Sequence, residues 1–354
     1  RTTEMQENTR LKIGITIGDM NGVGPEIILK TFQDNRMLDF CTPIIYASEK
    51  SLEFISKELH YEVRFNHIVS TEEADPNQIN IISCWKDEPK INFGIKDKNI
   101  GRHAIMSLKK ATKDLKNKGI NVMVTAPINK NCVQSDEFSF PGHTEYLDKE
   151  LSGESLMLMV SNSLRVGLLT DHIPINKISE HITKELIEQK LKIIQKTLVE
   201  DFNISKPKIA ILGLNPHSSD GGVIGKEEQH VLIPAIEKLK ENGMLIFGPY
   251  SADGFFGSNK NESFDAILAA YHDQGLIPFK TLSFGQGVNY TAGLNRIRTS
   301  PDHGTAYEIA GKGIADETSF KEALFLAITT YKNRKEYQEL TKGAIKEEKL
   351  IKTK

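Results

Sequence analysis

The chain has 354 residues, more than one hydrophobic core usually serves, so two domains are the default expectation. Lys plus Arg number 45 against 47 Asp plus Glu, a net charge of −2, which gives no electrostatic reason to expect nucleic acid or an acidic membrane as partner. Cys41, Cys84 and Cys132 lie far apart without CxxC spacing, which argues against a disulfide framework or a cysteine zinc knuckle. No apolar run approaches membrane-spanning length, and residues 1–10 carry no signal-peptide hydrophobic region, so the cytoplasm is the expected address.

In chain order, short apolar runs alternate with longer helical patterns. Lys12–Ile17 reads as a strand and Pro25–Phe32 as a helix, followed by a strand over Thr42–Ala47 and a helix over Ser48–His60. Gly101–Lys118 has helical periodicity through Ala104, Ile105, Leu108, Ala111 and Leu115, and Ile120–Thr125 is the next strand. Ser155–Ser161 and Leu164–Thr170 read as paired strands, and Thr183–Asp201 as an amphipathic helix. Lys208–Leu212 and Ala266–Ala270 read as strands; Glu227–Glu241, Asp302–Gly313 and Ser319–Leu340 read as helices. Such alternation predicts α/β layers with mostly parallel strands, in interwoven domains with no obvious linker. The lysine-rich end, 342–354, and residues 1–10 are expected to be flexible.

The strongest pattern is a recurrence. Val166–Thr170 is followed by Asp171 and His172, Ile209–Leu214 by Asn215, Pro216 and His217, and Ala266–Ala270 by Tyr271, His272 and Asp273. Each histidine stands just past the carboxyl end of an expected strand, the edge where open α/β sheets bind ligands. Three neutral imidazoles suffice to hold a catalytic divalent ion with one open position. Taken singly, each is more often a structural histidine; three at one topological position point to a shared site.

Glycine-rich segments are less specific. Gly18–Glu26 (GDMNGVGPE) joins the first strand to the first helix, with Pro25 at a helix start that could face an anion, or as a plain turn. It lacks the dinucleotide fingerprint. Gly221–Lys226 fails the phosphate-loop pattern, with Asp220 and Glu227 where glycine and a hydroxyl residue are required, so an NTPase reading is rejected. The loop Ser283–Tyr290, between Lys280 and Arg298, suits an anionic substrate, and Pro301–Ala306 places small residues before an expected helix.

Taken together, these segments resemble the 4-hydroxythreonine-4-phosphate dehydrogenase family. The resemblance is carried by ITIGDMNGVGPEI (15–27), TAPINK (125–130), PGHTEYL (141–147), LLTDHIP (168–174), LGLNPHSSDGG (212–222), GPYSADGFF (248–256), AAYHDQGLIPFK (269–280) and the run 284–316. It implies an isopropylmalate-dehydrogenase-like α/β fold of two interwoven α/β/α domains with the active site in the cleft between them. Residues 11–130 with 285–340 would form the nucleotide side, and 131–284 the metal, substrate and dimerisation side. It further implies a metal triad of His172, His217 and His272, and substrate contacts from His143, Thr144, Lys280, Asn289 and Arg298. Asp253 and Asp273 would lie near the site. The nucleotide would meet His303, Gly304, Thr305 and Ala306.

The implied cofactors are NAD or NADP and one divalent ion, with zinc, cobalt and magnesium as candidates. The implied assembly is a homodimer with the active site at its interface, so one metal's three histidines could come from one subunit or from both. The implied reaction oxidises 4-phosphooxy-L-threonine at C3 and decarboxylates it, within pyridoxal phosphate biosynthesis. Lys280 and Asp273 are the candidate bases. Residues 131–140 and those beyond 332 depart from the family pattern. A branch acting on four-carbon phosphosugar acids such as 4-phosphothreonate or 4-phosphoerythronate shares most of these motifs and is the alternative substrate class. A metal-dependent hydrolase with the same histidines is the alternative of another class.

Overall fold

Runs rich in Ile, Val and Leu, too short for helices, form the strands, and longer stretches of 3.6-residue periodicity form the helices that cover them. The computed structural model describes residues 10–343, so the termini expected to be flexible lie, save residues 10, 342 and 343, outside the described residues. The strands are β1 (Lys12–Thr16), β2 (Thr42–Ala47), β3 (Phe65–Ile68), β4 (Ile79–Ser83), β5 (Val122–Thr125) and β6 (Gly153–Val160). They continue with β7 (Arg165–Leu168), β8 (Lys208–Leu212), β9 (Leu245–Tyr250), β10 (Ala266–Ala269), β11 (Val288–Leu294) and β12 (Ile297–Pro301).

All twelve belong to one sheet, in the order β3-β4-β2-β1-β5-β12-β11-β6-β7-β10-β8-β9. Both flanks are parallel; only β12–β11, β11–β6 and β6–β7 run antiparallel. The fold is therefore α/β with a mostly parallel sheet, and that sheet is continuous across the two expected halves.

The two faces of the sheet are packed differently. One carries a large core formed with the helices Gly24–Gln33, Glu49–Glu58, Lys184–Glu200, Ile233–Glu241 and Thr318–Leu340. On the other, the core is split. Helix Lys98–Lys116 and the short helix His143–Glu150 cover one part, through Leu108, Ala111, Leu115 and Leu147. Helix His272–Ser283 covers the other, through Leu276 and Phe279 against Val166, Leu168 and Ala269. Between them the central strands β12, β11 and β6 lack an apolar cover, and a cavity of about 230 Å³ sits there.

The expected helix over Asp302–Gly313 does not form. Ala306, Gly311 and Gly313 have φ of +45°, +78° and +70°, which no right-handed helix accommodates, and the segment runs as successive turns. Among the described residues, no helix is long and apolar enough to cross a membrane.

Candidate active site

Strand alternation explains the floor of the cavity. Successive side chains point to opposite faces. Asn289 pairs with Met159 and Ser300, and Thr291 with Met157, so these residues share a face with Arg298. The intervening Tyr290, Thr299 and Leu158 point into the large core. Met157, Met159, Asn289, Arg298 and Ser300 all line the cavity.

Arg298 is buried at 3% exposure. Its Nε and Nη2 donate to Thr125 Oγ1 at 3.0 and 2.7 Å, and its Nη1 donates to Thr291 Oγ1 at 3.1 Å. Burial pushes its pKa down to about 10, opposed by the carboxylate of Glu145, so it remains a cation at neutral pH. Lys130 and Lys280 line the same cavity, and Lys280 Nζ donates to the Asp302 carbonyl at 3.0 Å. His143 and Thr144, at the start of helix His143–Glu150, form part of the wall. Burial, with Arg298 and Lys130 nearby, holds the His143 imidazole well below its ordinary pKa and therefore neutral. His143 Nε2 and Asn289 Oδ1 are buried without a partner, which leaves two polar atoms for a ligand to satisfy.

The histidines come from neighbouring strands. β7 and β10 pair in parallel, with Leu168 opposite Ala269, and Thr170 N extends the pairing to Ala270 O. The chains leaving their carboxyl ends deliver His172 and His272 side by side, with ring centroids 5.7 Å apart, and both line the cavity. His172 Nδ1 lies 3.6 Å from Glu145 Oε1, and His272 Nδ1 lies 2.7 Å from Asp273 Oδ1. Asp273 is exposed and outside the cavity lining, where it orients His272.

His217 behaves differently. It follows β8, the strand beside β10, yet it is exposed and does not line the cavity. Residues His217 to Gly221 all have positive φ. The turn is fixed by Asn215, whose N donates to Glu228 Oε1 at 2.7 Å and whose Nδ2 donates to Glu227 and Glu228. Ser218 Oγ donates to the Pro249 carbonyl at 3.0 Å. Asp253, the candidate near the site, lies on His217's side; the neighbouring imidazole helps hold its carboxyl below the usual range, after bonds from Ser251 and Gly254. Among the described residues no three His, Cys, Asp or Glu side chains stand close enough to hold a metal ion. One chain thus offers two of the three expected ligands at one point.

His303 and Gly304 line the cavity, while Thr305 and Ala306 do not. A Cβ at Gly304 would meet no protein atom within 4 Å, and His303 Nε2 is buried without a partner. That open, polar rim fits a nucleotide's approach. The Gly18–Glu26 segment gives no anion site: Asp19, Asn21, Gly24 and Glu26 are buried within the protein. Lys130, Glu145, Met157 and Met159 had no role in the sequence reading. Lys130 and Glu145 stood inside TAPINK and PGHTEYL, whereas the two methionines look like ordinary strand residues.

The pyridoxal phosphate biosynthetic protein PdxA family matches residues 39–327. A 4-hydroxythreonine-4-phosphate dehydrogenase from Bacteroides thetaiotaomicron is 51% identical over 332 residues, covering 93% of this chain and 91% of that protein. A relative from Oceanobacillus iheyensis, named for D-threonate 4-phosphate dehydrogenase, is 38% identical over 322 residues, covering 89% and 96%. The solved structure of 4-hydroxythreonine-4-phosphate dehydrogenase from Klebsiella pneumoniae aligns with a TM-score of 0.78 at 30% identity, covering 91% of this chain and 99% of that one. Matches of this extent over nearly the whole chain place it in the PdxA family of dehydrogenases.

Proposed function

We propose that this chain oxidises 4-phosphooxy-L-threonine at C3 with NAD or NADP and decarboxylates the product to 3-amino-2-oxopropyl phosphate. The observation that carries the reading is the convergence of Arg298, Lys130 and Lys280 on one small cavity that also holds His172, His272 and the His303–Gly304 rim. With Lys280 serving as base, Arg298 and Lys130 are the two cations for a substrate that bears both a phosphate and a carboxylate. Membership of a dehydrogenase family sets aside the hydrolase alternative.

Arg298 and Lys130 bind and orient the anionic groups, and neutral His143 and Asn289 complete the polar contacts. Lys280 is the candidate base: as the neutral amine it takes the C3 hydroxyl proton while an N–H is kept for the Asp302 carbonyl. Asp273 lies outside the cavity lining, bonded to His272, and so is not placed to take that proton. His303 and Gly304 would hold the nicotinamide dinucleotide, which would supply the acceptor for the C3 hydride. Oxidation leaves a β-keto acid; carbon dioxide departs, and a proton is taken up at the carbon it leaves. His172 and His272 would hold a divalent ion, which when bound supplies electrophilic stabilisation of the substrate oxygen.

The third ligand, His217, would come from a second copy of the chain. Support comes from the two-histidine half-site and from exposed apolar residues: Ile175, 76% exposed beside His172, and Ile277 and Phe284, 64% and 84% exposed, on and just past the helix that starts at His272. The expected division into residues 11–130 with 285–340 and residues 131–284 follows the split core only in part: 157–279 supply one cluster, but Val133, Phe138, Tyr146, Leu147 and Leu151 pack with Leu108 and Leu115 in the other.

The relative named for D-threonate 4-phosphate keeps one second reading alive, the same oxidation on a non-amino acid. The test is NADH absorbance with purified protein, NAD and a divalent ion, using each substrate in turn, with and without chelator. Turnover of the amino substrate, lost on chelation, is expected. Turnover of D-threonate 4-phosphate alone would overturn the substrate assignment, and no NADH from either would overturn the reading.

A further inference from the structure

The GDMNGVGPE segment is buried and has no room for a ligand, yet it is the most glycine-dense turn before a helix in the chain's first half. Its contacts show what the glycines serve. A Cβ on Gly22 would sit 2.7 Å from the Thr305 carbonyl oxygen, and one on Gly18 would sit 2.4 Å from the Pro127 carbonyl oxygen. Val23 N donates to that Thr305 oxygen at 2.9 Å. Two residues on, Tyr307 Oη donates to Asp19 Oδ2 at 2.5 Å, while Asp19 Oδ1 accepts from Asn21 N at 2.9 Å. Further along, Glu26 Oε1 accepts from Ala315 N at 2.8 Å, and Lys30 Nζ donates to the Ala315 carbonyl.

These bonds fall at informative places. Ala306 has φ +45°, a left-handed conformation that a residue with a Cβ adopts only under constraint. The bonds at Thr305 and Tyr307 flank it on both sides. The segment they hold, from His303 onward, has no helix or strand of its own until Thr318.

We propose that residues 18–26 form a clamp, with Asp19 and Val23 as its contacts, that fixes the strained 303–307 segment in the shape that receives the nicotinamide dinucleotide. Asp19 and Tyr307 are positioning residues acting through His303 and Gly304. The proposal rests on the reading of the 303–304 rim as the cofactor side of the cavity. Asp19 is buried, so its bond to Tyr307 has no water to replace it.

The experiment uses the full-length enzyme and three variants. Tyr307→Phe removes one contact and little volume. Asp19→Asn offers one oxygen where two acceptors are used. Gly304→Val fills the rim and tests the underlying reading alone. Two quantities are measured: amide hydrogen exchange of residues 303–310 without cofactor, and the NAD dissociation constant by calorimetry. Tyr307→Phe and Asp19→Asn are expected to speed exchange in 303–310 and to weaken NAD by about tenfold, the loss of one buried hydrogen bond to a charged group. The KM for the phosphorylated substrate should stay near the wild-type value, a split that general destabilisation would not give. If Gly304→Val weakens NAD but both clamp variants leave exchange and NAD affinity unchanged, the clamp is wrong and the cofactor rim stands. If Gly304→Val leaves NAD affinity unchanged, the rim reading fails and the proposal falls with it.

Discussion

Arg298 offers the sharpest test of the cavity. A guanidinium has five N–H donors. Thr125 and Thr291 take three of them, so two remain for a ligand. Replacing Arg298 with Lys keeps the charge but loses the planar fork, and it forfeits at least one charge-assisted bond to substrate. That bond is worth about 1.5–3 kcal/mol, which lowers kcat/KM by about 10- to 150-fold. Arg298→Ala removes the charge as well, and the expected cost rises to about 2–5 kcal/mol. The assay is initial-rate NADH formation across substrate concentrations, with thermal melting to confirm folding. Folded variants with unchanged kcat/KM would refute the assignment of Arg298 to the substrate.

Three further outcomes are expected. Asp201, 2% exposed, accepts from Arg334 Nε at 2.6 Å and Tyr290 Oη at 2.6 Å, tying helix Thr318–Leu340 to β11. Asp201→Asn should cost about 3–5 kcal/mol in denaturant unfolding, because it strands a buried guanidinium. Glu227, bonded by Ser179 and Asn215, has its pKa lowered from 4.5 to about 2, so its stabilisation is present above pH 4.5 and lost as pH falls toward 2. The stability gap between wild type and Glu227→Gln should therefore close over that range in acid unfolding curves. Ile277→Asp with Phe284→Asp places charge on exposed apolar positions; if the proposed dimer forms there, sedimentation should show dimers for the wild type and monomers for the variant.

Much of the sheet was legible because its strands announce themselves, though β4 and β9 as well as β3, β11 and β12 were not read as strands. Thr42–Ala47 and Lys208–Leu212 are fully apolar or β-branched at their cores, and both strands fall where the sequence puts them. β11 and β12 were hidden by their own function. Asn289, Thr291, Arg298 and Ser300 put polar atoms on the cavity face, so the pair looks like a loop between cations. β3 was hidden for the opposite reason: an edge strand of sequence FNHI, only half-buried, carries little signal. The helix expected at Asp302–Gly313 failed because residue-level propensity could not see that Thr305 and Tyr307 are bonded to a segment nearly three hundred residues earlier.

The histidine recurrence was legible as a pattern, but its geometry was not. His172 follows Leu168 by four residues and His272 follows Ala269 by three, on adjacent parallel strands, and their rings meet. His217 follows Leu212 by five residues, through Pro216 and a left-handed turn that faces solvent. Four non-glycine residues there hold φ values costing about 1–3 kcal/mol each, which is hard to reconcile with an idle surface loop. On the proposed reading, a second copy that uses His217 would account for the strain. Subunit complementation tests this directly. His217→Ala and His272→Ala homodimers should each lose bound metal, read by elemental analysis after dialysis. In a mixed dimer, one site would combine intact His172 and His272 from one chain with intact His217 from the other. Random mixing makes about half the dimers hybrid, each with one whole site, so about a quarter of the wild-type metal should return. Recovery of none would mean that all three histidines serve the same chain, and that the exposed turn must swing onto its own cavity.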